Sequence, residues 1–132
     1  MKNQNLGLLI IRLALGILML FHGISKLIHG IDGIENMLND QGIPKIFAYG
    51  VYVGEMVAPL LLVVGYRTRI AALLLFANML VILFIAHPNE LLTLNNHGAW
   101  SLELPGLYLF GSLSLFFTGA GRYAFSSGNQ WD

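Results

Sequence analysis

Four long apolar runs dictate what this chain can become: Leu6 to Ile28, Ile46 to Val64, Ile70 to Ala86 and Trp100 to Thr118. A helix crossing the hydrocarbon core of a bilayer needs about 20 mostly apolar residues. Inside hydrocarbon each backbone N–H and C=O must be bonded within the segment, which makes such runs helices. The reading is an all-α integral membrane protein, a four-helix bundle of antiparallel spans over residues 6–28, 46–64, 70–86 and 100–118, with residues 1–132 as one domain. Lys2 before the first run imitates a secretory signal. The run is too long for a signal h-region and lacks a small-x-small cleavage site, so it is expected to stay attached.

The breaks between runs carry helix-ending chemistry. Gly30-Ile31-Asp32-Gly33 and Asp40-Gln41-Gly42-Ile43-Pro44 precede the second span, Gly65-Tyr66-Arg67-Thr68-Arg69 follows it, and His87-Pro88-Asn89 closes the third. Between Asp32 and Lys45, Met37 and Leu38 among polar residues suit a short interfacial helix. Short loops rich in Lys and Arg stay cytoplasmic. Lys2, Arg67, Arg69 and Arg122 fall on one side, against Lys45, Asp32, Glu35, Asp40 and Glu90 on the other. Both termini are therefore expected in the cytoplasm. Tyr49, Tyr66, Trp100 and Tyr123 fall near span ends, as an interfacial aromatic belt requires, with Tyr52 and Tyr108 somewhat deeper.

The first span carries an unexpected cargo for hydrocarbon. At positions 12, 15, 19, 22, 26 and 29 it has Arg12, Leu15, Met19, His22, Lys26 and His29, so its ionisable groups share one stripe. An ionisable group at the bilayer centre costs about 2.5–3.5 kcal/mol or more on insertion scales, which turns such residues toward the bundle interior. Acidic partners exist in Glu55, mid-way along the second span, and Glu103, at the outer end of the fourth. The expectation is a polar cluster in the outer half of the bundle, built from His22, Lys26, Glu55, His87 and Glu103. Arg12 lies nearer the cytoplasmic side, where it snorkels or holds a backbone carbonyl at a helix end.

Small residues mark the helix seams: Gly50-x-x-x-Gly54-x-x-x-Ala58, and Gly111, Ser114 and Thr118. With Asn78 they are read as packing positions, where small side chains let helices approach and amides bond across the seam. Pro59, four residues after Glu55, removes the N–H that would bond the Glu55 carbonyl and so kinks the second span.

The cluster has a plain reading and a sharper one. Plainly, ion pairs stitch the helices and fix their register. The sharper reading gives Glu55 and His22 proton transfer, with Lys26, Glu103, His87 and Arg12 as ligand-binding residues, since carboxylate and imidazole groups shielded from water are readily tuned for that work. It is favoured because five ionisable groups exceed what a small bundle needs for cohesion. No metal site is expected: His22, His29, His87 and Glu103 lack ligand spacing such as His-x-x-x-His. Axial haem ligation by His22 and His87 is disfavoured by their different depths. Glu90, Asn95, Asn96 and His97 read as a solvated loop.

Composition removes other classes. Apolar residues make up 56% and charged ones 11%, too oily for an ordinary soluble domain. Seven basic and seven acidic residues cancel, leaving no footprint for nucleic acid. The chain has no cysteine, so disulfides, thiolate metal sites and thiol exchange by its own residues are excluded.

The order Arg12…Phe21-x-Gly23-x-x-Lys26, Gly50-x-x-x-Gly54-Glu55…Gly65-x-x-Thr68-Arg69-x-Ala71-Ala72, then Glu103…Gly119-Ala120-Gly121-Arg122-Tyr123 resembles the DoxX family of small bacterial membrane proteins. Members often continue the last motif with Ser and an acidic residue, where this chain has Ala124-Phe125-Ser126. That departure leaves the final segment an anchoring role. The resemblance implies a multi-pass protein of the bacterial plasma membrane tied to redox processes, similar to the membrane subunit of thiosulfate:quinone oxidoreductase. It implies a quinone-like or other small hydrophobic ligand in the polar pocket, and a redox partner subunit or soluble enzyme as electron donor, since this chain shows no electron carrier of its own. Whether the chain is itself an enzyme stays open. The competing readings are a non-enzymatic assembly or partner-binding protein and a small-solute or proton transporter using Glu55. Lateral glycine-rich surface leaves room for a homo-oligomer.

Overall fold

The computed structural model describes residues 3–132. Lys2, used above for orientation, lies outside the described residues. The described chain is helical, with an isolated bridge between Leu94 and Trp100 in the loop after the third long helix. The first long helix, α1, spans Gln4–His29 and opens with the Asn3 side chain accepting from the Leu6 N–H. A short helix α2, Asp32–Asp40, follows, and Gly42 at φ 76° turns the chain out of it.

The second long helix, α3, is continuous over Lys45–Val64 but not uniform. It starts as a 3₁₀ turn, widens into a π-turn at Val53–Val57, and returns to α at Ala58–Val64. The π-turn lies just before Pro59, which cannot donate to the Glu55 carbonyl, so the expected distortion takes the form of a widened turn. Helix α4 covers Thr68–Ala86 and also ends in a π-turn, Ile82–Ala86, where Pro88 forbids continuation. Helix α5 is Glu103–Thr118.

Three helices, α1, α3 and α4, are long and apolar enough to cross a membrane. Helix α5 is shorter, 16 residues. At about 1.5 Å per residue it spans about 24 Å, less than a full hydrocarbon core of about 30 Å. It packs on α4 and more lightly on α1, while α1 and α4 both pack on α3. The main core, with Met19, Leu62, Ala72, Leu75, Met79 and Leu115, lies where these four helices meet. A second, smaller cluster of Ile31, Leu38 and Ala48 packs α2 onto the start of α3.

The buried stripe of α1 differs from the one expected. Its buried residues are Arg12, Gly16, Met19 and Gly23, whereas His22 and His29 are exposed. Glycine decides the phase. A Cβ on Gly16 would lie 2.9 Å from the Pro59 carbonyl, and one on Gly23 would collide with the Glu55 carbonyl. The seam between α1 and α3 therefore runs through the two glycines, and His22, one position off it, is turned away.

The end of the helical core carrying Arg67, Arg69 and Arg122 is closed by residues 119–132, which form a strap. Phe125 and Ser126 donate their N–H groups to the carbonyls of Val64 and Gly65, and Arg69 donates its N–H to the Trp131 carbonyl. Arg12 is wholly buried beneath the strap, donating to the Leu62 carbonyl at 3.1 Å and to the Tyr123 carbonyl. Of the two expected fates for Arg12, it takes the second: it holds carbonyls at a helix end and does not snorkel. Carbonyls at the C-terminal end of α3 carry the negative end of the helix dipole, a suitable seat for a guanidinium.

Candidate functional site

Helix α1 places Lys26 three residues beyond Gly23, where the close approach of α1 to α3 leaves its side chain level with Glu55. The Lys26 ammonium lies 2.7 Å from each carboxylate oxygen of Glu55. Glu55 is almost wholly buried, with 2% of its side chain exposed, while Lys26 keeps 26%. A lone buried carboxylate is prohibitively costly, and Lys26 supplies the compensating charge.

Beside this pair lies a cavity of about 610 Å³, within the usual range for a small-molecule site. Its wall is almost entirely apolar. Lys26, Glu55 and Asn78 are the polar side chains on it, and the main apolar contributors are Ile34, Met37 and Leu38 of α2 with Val51, Leu74 and Ile82. Both π-turns face this space, the first through Val53, Gly54 and Glu55, the second through Ile82, Ile85 and Ala86. Such widened turns recur at functional sites because they re-aim side chains and loosen backbone bonding. The apolar side of α2 roofs the cavity, and the Gln41 amide ties the roof down by donating to the Ile85 carbonyl at 2.8 Å. Phe47, Val53 and Val81 line the cavity yet are exposed on the flank of α3 and α4. The space thus opens sideways, toward where lipid would lie.

Of the five groups expected to cluster, the structure brings together Lys26 and Glu55. His22 is exposed, its ring edge-on to Tyr108 at 6.3 Å between centroids. His87 is exposed where α4 ends, with Nδ1 3.6 Å from a Glu90 oxygen. Glu103 is exposed in the first turn of α5, where a carboxylate is favoured by the helix dipole without any basic partner. Arg12 sits at the strap end, away from the cavity lining. No group of three or more metal-ligating side chains converges among the described residues.

The sequence offered the short helix over Asp32–Asp40 and Asn78 as a seam residue, but not that the helix roofs a cavity, that Asn78 lines it, or that α4 ends in a π-turn. The roof had a signal, since Ile34, Met37 and Leu38 recur at helical spacing within an otherwise polar stretch.

The DoxX family model matches residues 7–88, more than half of the chain. The chain belongs to the DoxX family. The match covers α1 from Gly7 onward and all of α2, α3 and α4, and with them Lys26, Glu55, Asn78 and the cavity. Glu103 and the strap of this DoxX protein lie beyond it. No curated protein and no solved structure matches the chain.

Proposed function

We propose that this DoxX protein is a plasma-membrane component of a bacterial redox-linked system that binds a small hydrophobic or quinone-like molecule in the lateral cavity beside Lys26 and Glu55. The single observation that carries the reading is the pairing of a buried Lys–Glu couple with an apolar cavity that opens toward lipid. Reduction of a quinone takes two electrons and two protons. The electrons would come from a partner subunit or soluble enzyme, and the Lys26–Glu55 couple is placed to relay protons, as positioned acid–base groups do.

In this reading the protein makes four passes with both termini in the cytoplasm, consistent with Arg67, Arg69 and Arg122 at the strap end. Helix α5 spans by local thinning of the bilayer or by drawing in flanking residues, the usual response to a short helix. Homo-oligomer contacts would have to use surfaces other than the seams of Gly16, Gly23, Gly54 and Gly111, since those glycines already face side chains or backbone of their own chain.

A second reading keeps the protein non-enzymatic, an assembly factor whose ion pair only fixes the helices. It is favoured by the symmetry of the pair, in which one ammonium serves both carboxylate oxygens. The test is ligand binding by the full chain in lipid nanodiscs, with a short-tailed benzoquinone as probe. Saturable binding weakened by Glu55→Gln, in a variant that unfolds at the wild-type temperature, supports the first reading. Absence of saturable binding to wild-type protein refutes it.

A further inference from the structure

Asn78 is the one polar residue on the cavity wall that the ion pair does not account for. It sits on α4 with its side chain against Gly54, so close that a Cβ on Gly54 would lie 2.5 Å from Asn78 Cβ and Cγ. That contact places the amide beside the residue preceding Glu55. The amide Nδ2 is buried and has no hydrogen-bond partner among the described residues. In helix packing an asparagine ordinarily bonds across the seam to another helix. Here the seam offers a glycine, whose backbone leaves the amide unserved. An unpaired buried amide is costly, and a residue that merely filled the notch against Gly54 would do better as alanine or leucine.

We propose that Asn78 selects the ligand of this cavity, taking a lipid-soluble molecule whose ring head carries a carbonyl or hydroxyl oxygen. The inference rests on the reading of the cavity as a ligand site and deepens it. An amide both donates and accepts, so Asn78 serves a ring carbonyl by donating to it and a ring hydroxyl by accepting from it. The ammonium of Lys26 can only donate, and an ionised Glu55 can only accept. The amide is therefore the group on this wall that suits both the carbonyl and the hydroxyl form of one molecule. The remaining wall is apolar and the mouth is flanked by Phe47, Val53 and Val81, so the oxygen-bearing ring lies inward and any alkyl tail leaves between α3 and α4 into lipid.

The test uses the full chain in nanodiscs and a matched set of probes: a decyl-substituted benzoquinone, its hydroquinone kept reduced under anaerobic conditions, and decylbenzene, which has the same tail and no oxygen. Wild-type protein is expected to bind both oxygenated probes more tightly than decylbenzene. Asn78→Leu is expected to lose about fivefold or more on both oxygenated probes, the size of one hydrogen bond, and nothing on decylbenzene. Asn78→Ser, too short to span the same distance and less disturbing to the packing on Gly54, is expected to lose likewise, and it carries the test if the leucine variant misfolds. Unchanged preference for oxygenated probes in a folded Asn78→Ser protein overturns the role of Asn78 and leaves the cavity reading standing. Failure of wild-type protein to bind any of the three overturns both.

Discussion

Gly23 and the main-chain carbonyl of Glu55 occupy adjoining space so closely that no side chain could stand between them. That single approach sets the rotation of α1 against α3. It points Lys26 at the Glu55 carboxylate and leaves His22 outside. The carbonyl concerned is the one Pro59 cannot serve, so the closest point of the seam coincides with the widened turn.

Gly23→Val should therefore be among the most damaging small changes in the protein. The Cβ would meet the Glu55 carbonyl and the Met56 sulfur, 2.5 Å away, and overpacking of this kind costs about 1–3 kcal/mol or more. Gly7→Ala on the same helix, where nothing lies within 4 Å, should be neutral or stabilising by about 0.5–1 kcal/mol. Thermal unfolding of the two variants in one detergent checks the contrast. Similar losses in both would mean that the seam does not run through Gly23.

The ion pair makes an asymmetric prediction. Lys26→Met leaves Glu55 buried without compensation and should cost about 3–5 kcal/mol, whereas adding Glu55→Met in the same chain should recover most of that loss. A double-mutant cycle in thermal unfolding measures the coupling. If the double variant is as unstable as the single, the interaction at 2.7 Å is not what Lys26 contributes.

Much of this architecture was written in the sequence. Hydrophobic length marked α1, α3 and α4, and the cost of burying charge pointed to Lys26 and Glu55 as partners. Periodicity failed where glycine intervened. Counting from Arg12 at coiled-coil spacing gives His22, yet the structure follows Gly16 and Gly23, because close backbone approach outweighs a polar stripe. Depth arithmetic failed for Glu103 and His87, since it locates a residue along the membrane normal and says nothing about which way a helix end faces. The roof helix was legible as an interfacial helix, but which surface it covers depends on its packing against Ala48 and Ile85.

Arg12→Lys should separate charge from geometry at the strap end. The guanidinium reaches the Leu62 and Tyr123 carbonyls at once, joining α1, α3 and the strap. An ammonium is a single point of donation and cannot reproduce the fork. Loss of one charged hydrogen bond predicts a cost of about 1.5–3 kcal/mol, with faster proteolysis of residues 119–132 while the cavity still binds its probe. Wild-type resistance of the strap in this variant would show that Arg12 does not hold it.

The strap should also come loose in acid. The Asp132 carboxylate accepts from the Ser126 hydroxyl at 2.5 Å, the Asn129 N–H at 2.8 Å and Arg67 at 2.9 Å. Led by the Ser126 hydroxyl, and against the opposing effect of burial, these contacts hold the group down from 3.8 to about 2. A carboxyl group whose value is lowered by docking stabilises the docked state fully above its free value and loses that contribution as pH falls toward the docked one. Protection of the Phe125 and Ser126 amides against hydrogen exchange, both bonded to carbonyls at the end of α3, should therefore fall between about 3.8 and about 2 and be flat above. Asp132→Asn should abolish that acid-dependent step and lower protection already at neutral pH, because the amide cannot accept as a charged group from Arg67. A step that persists in Asp132→Asn would assign the acid sensitivity to another group, and unchanged protection at neutral pH would mean that the Asp132 carboxylate does not help hold the strap.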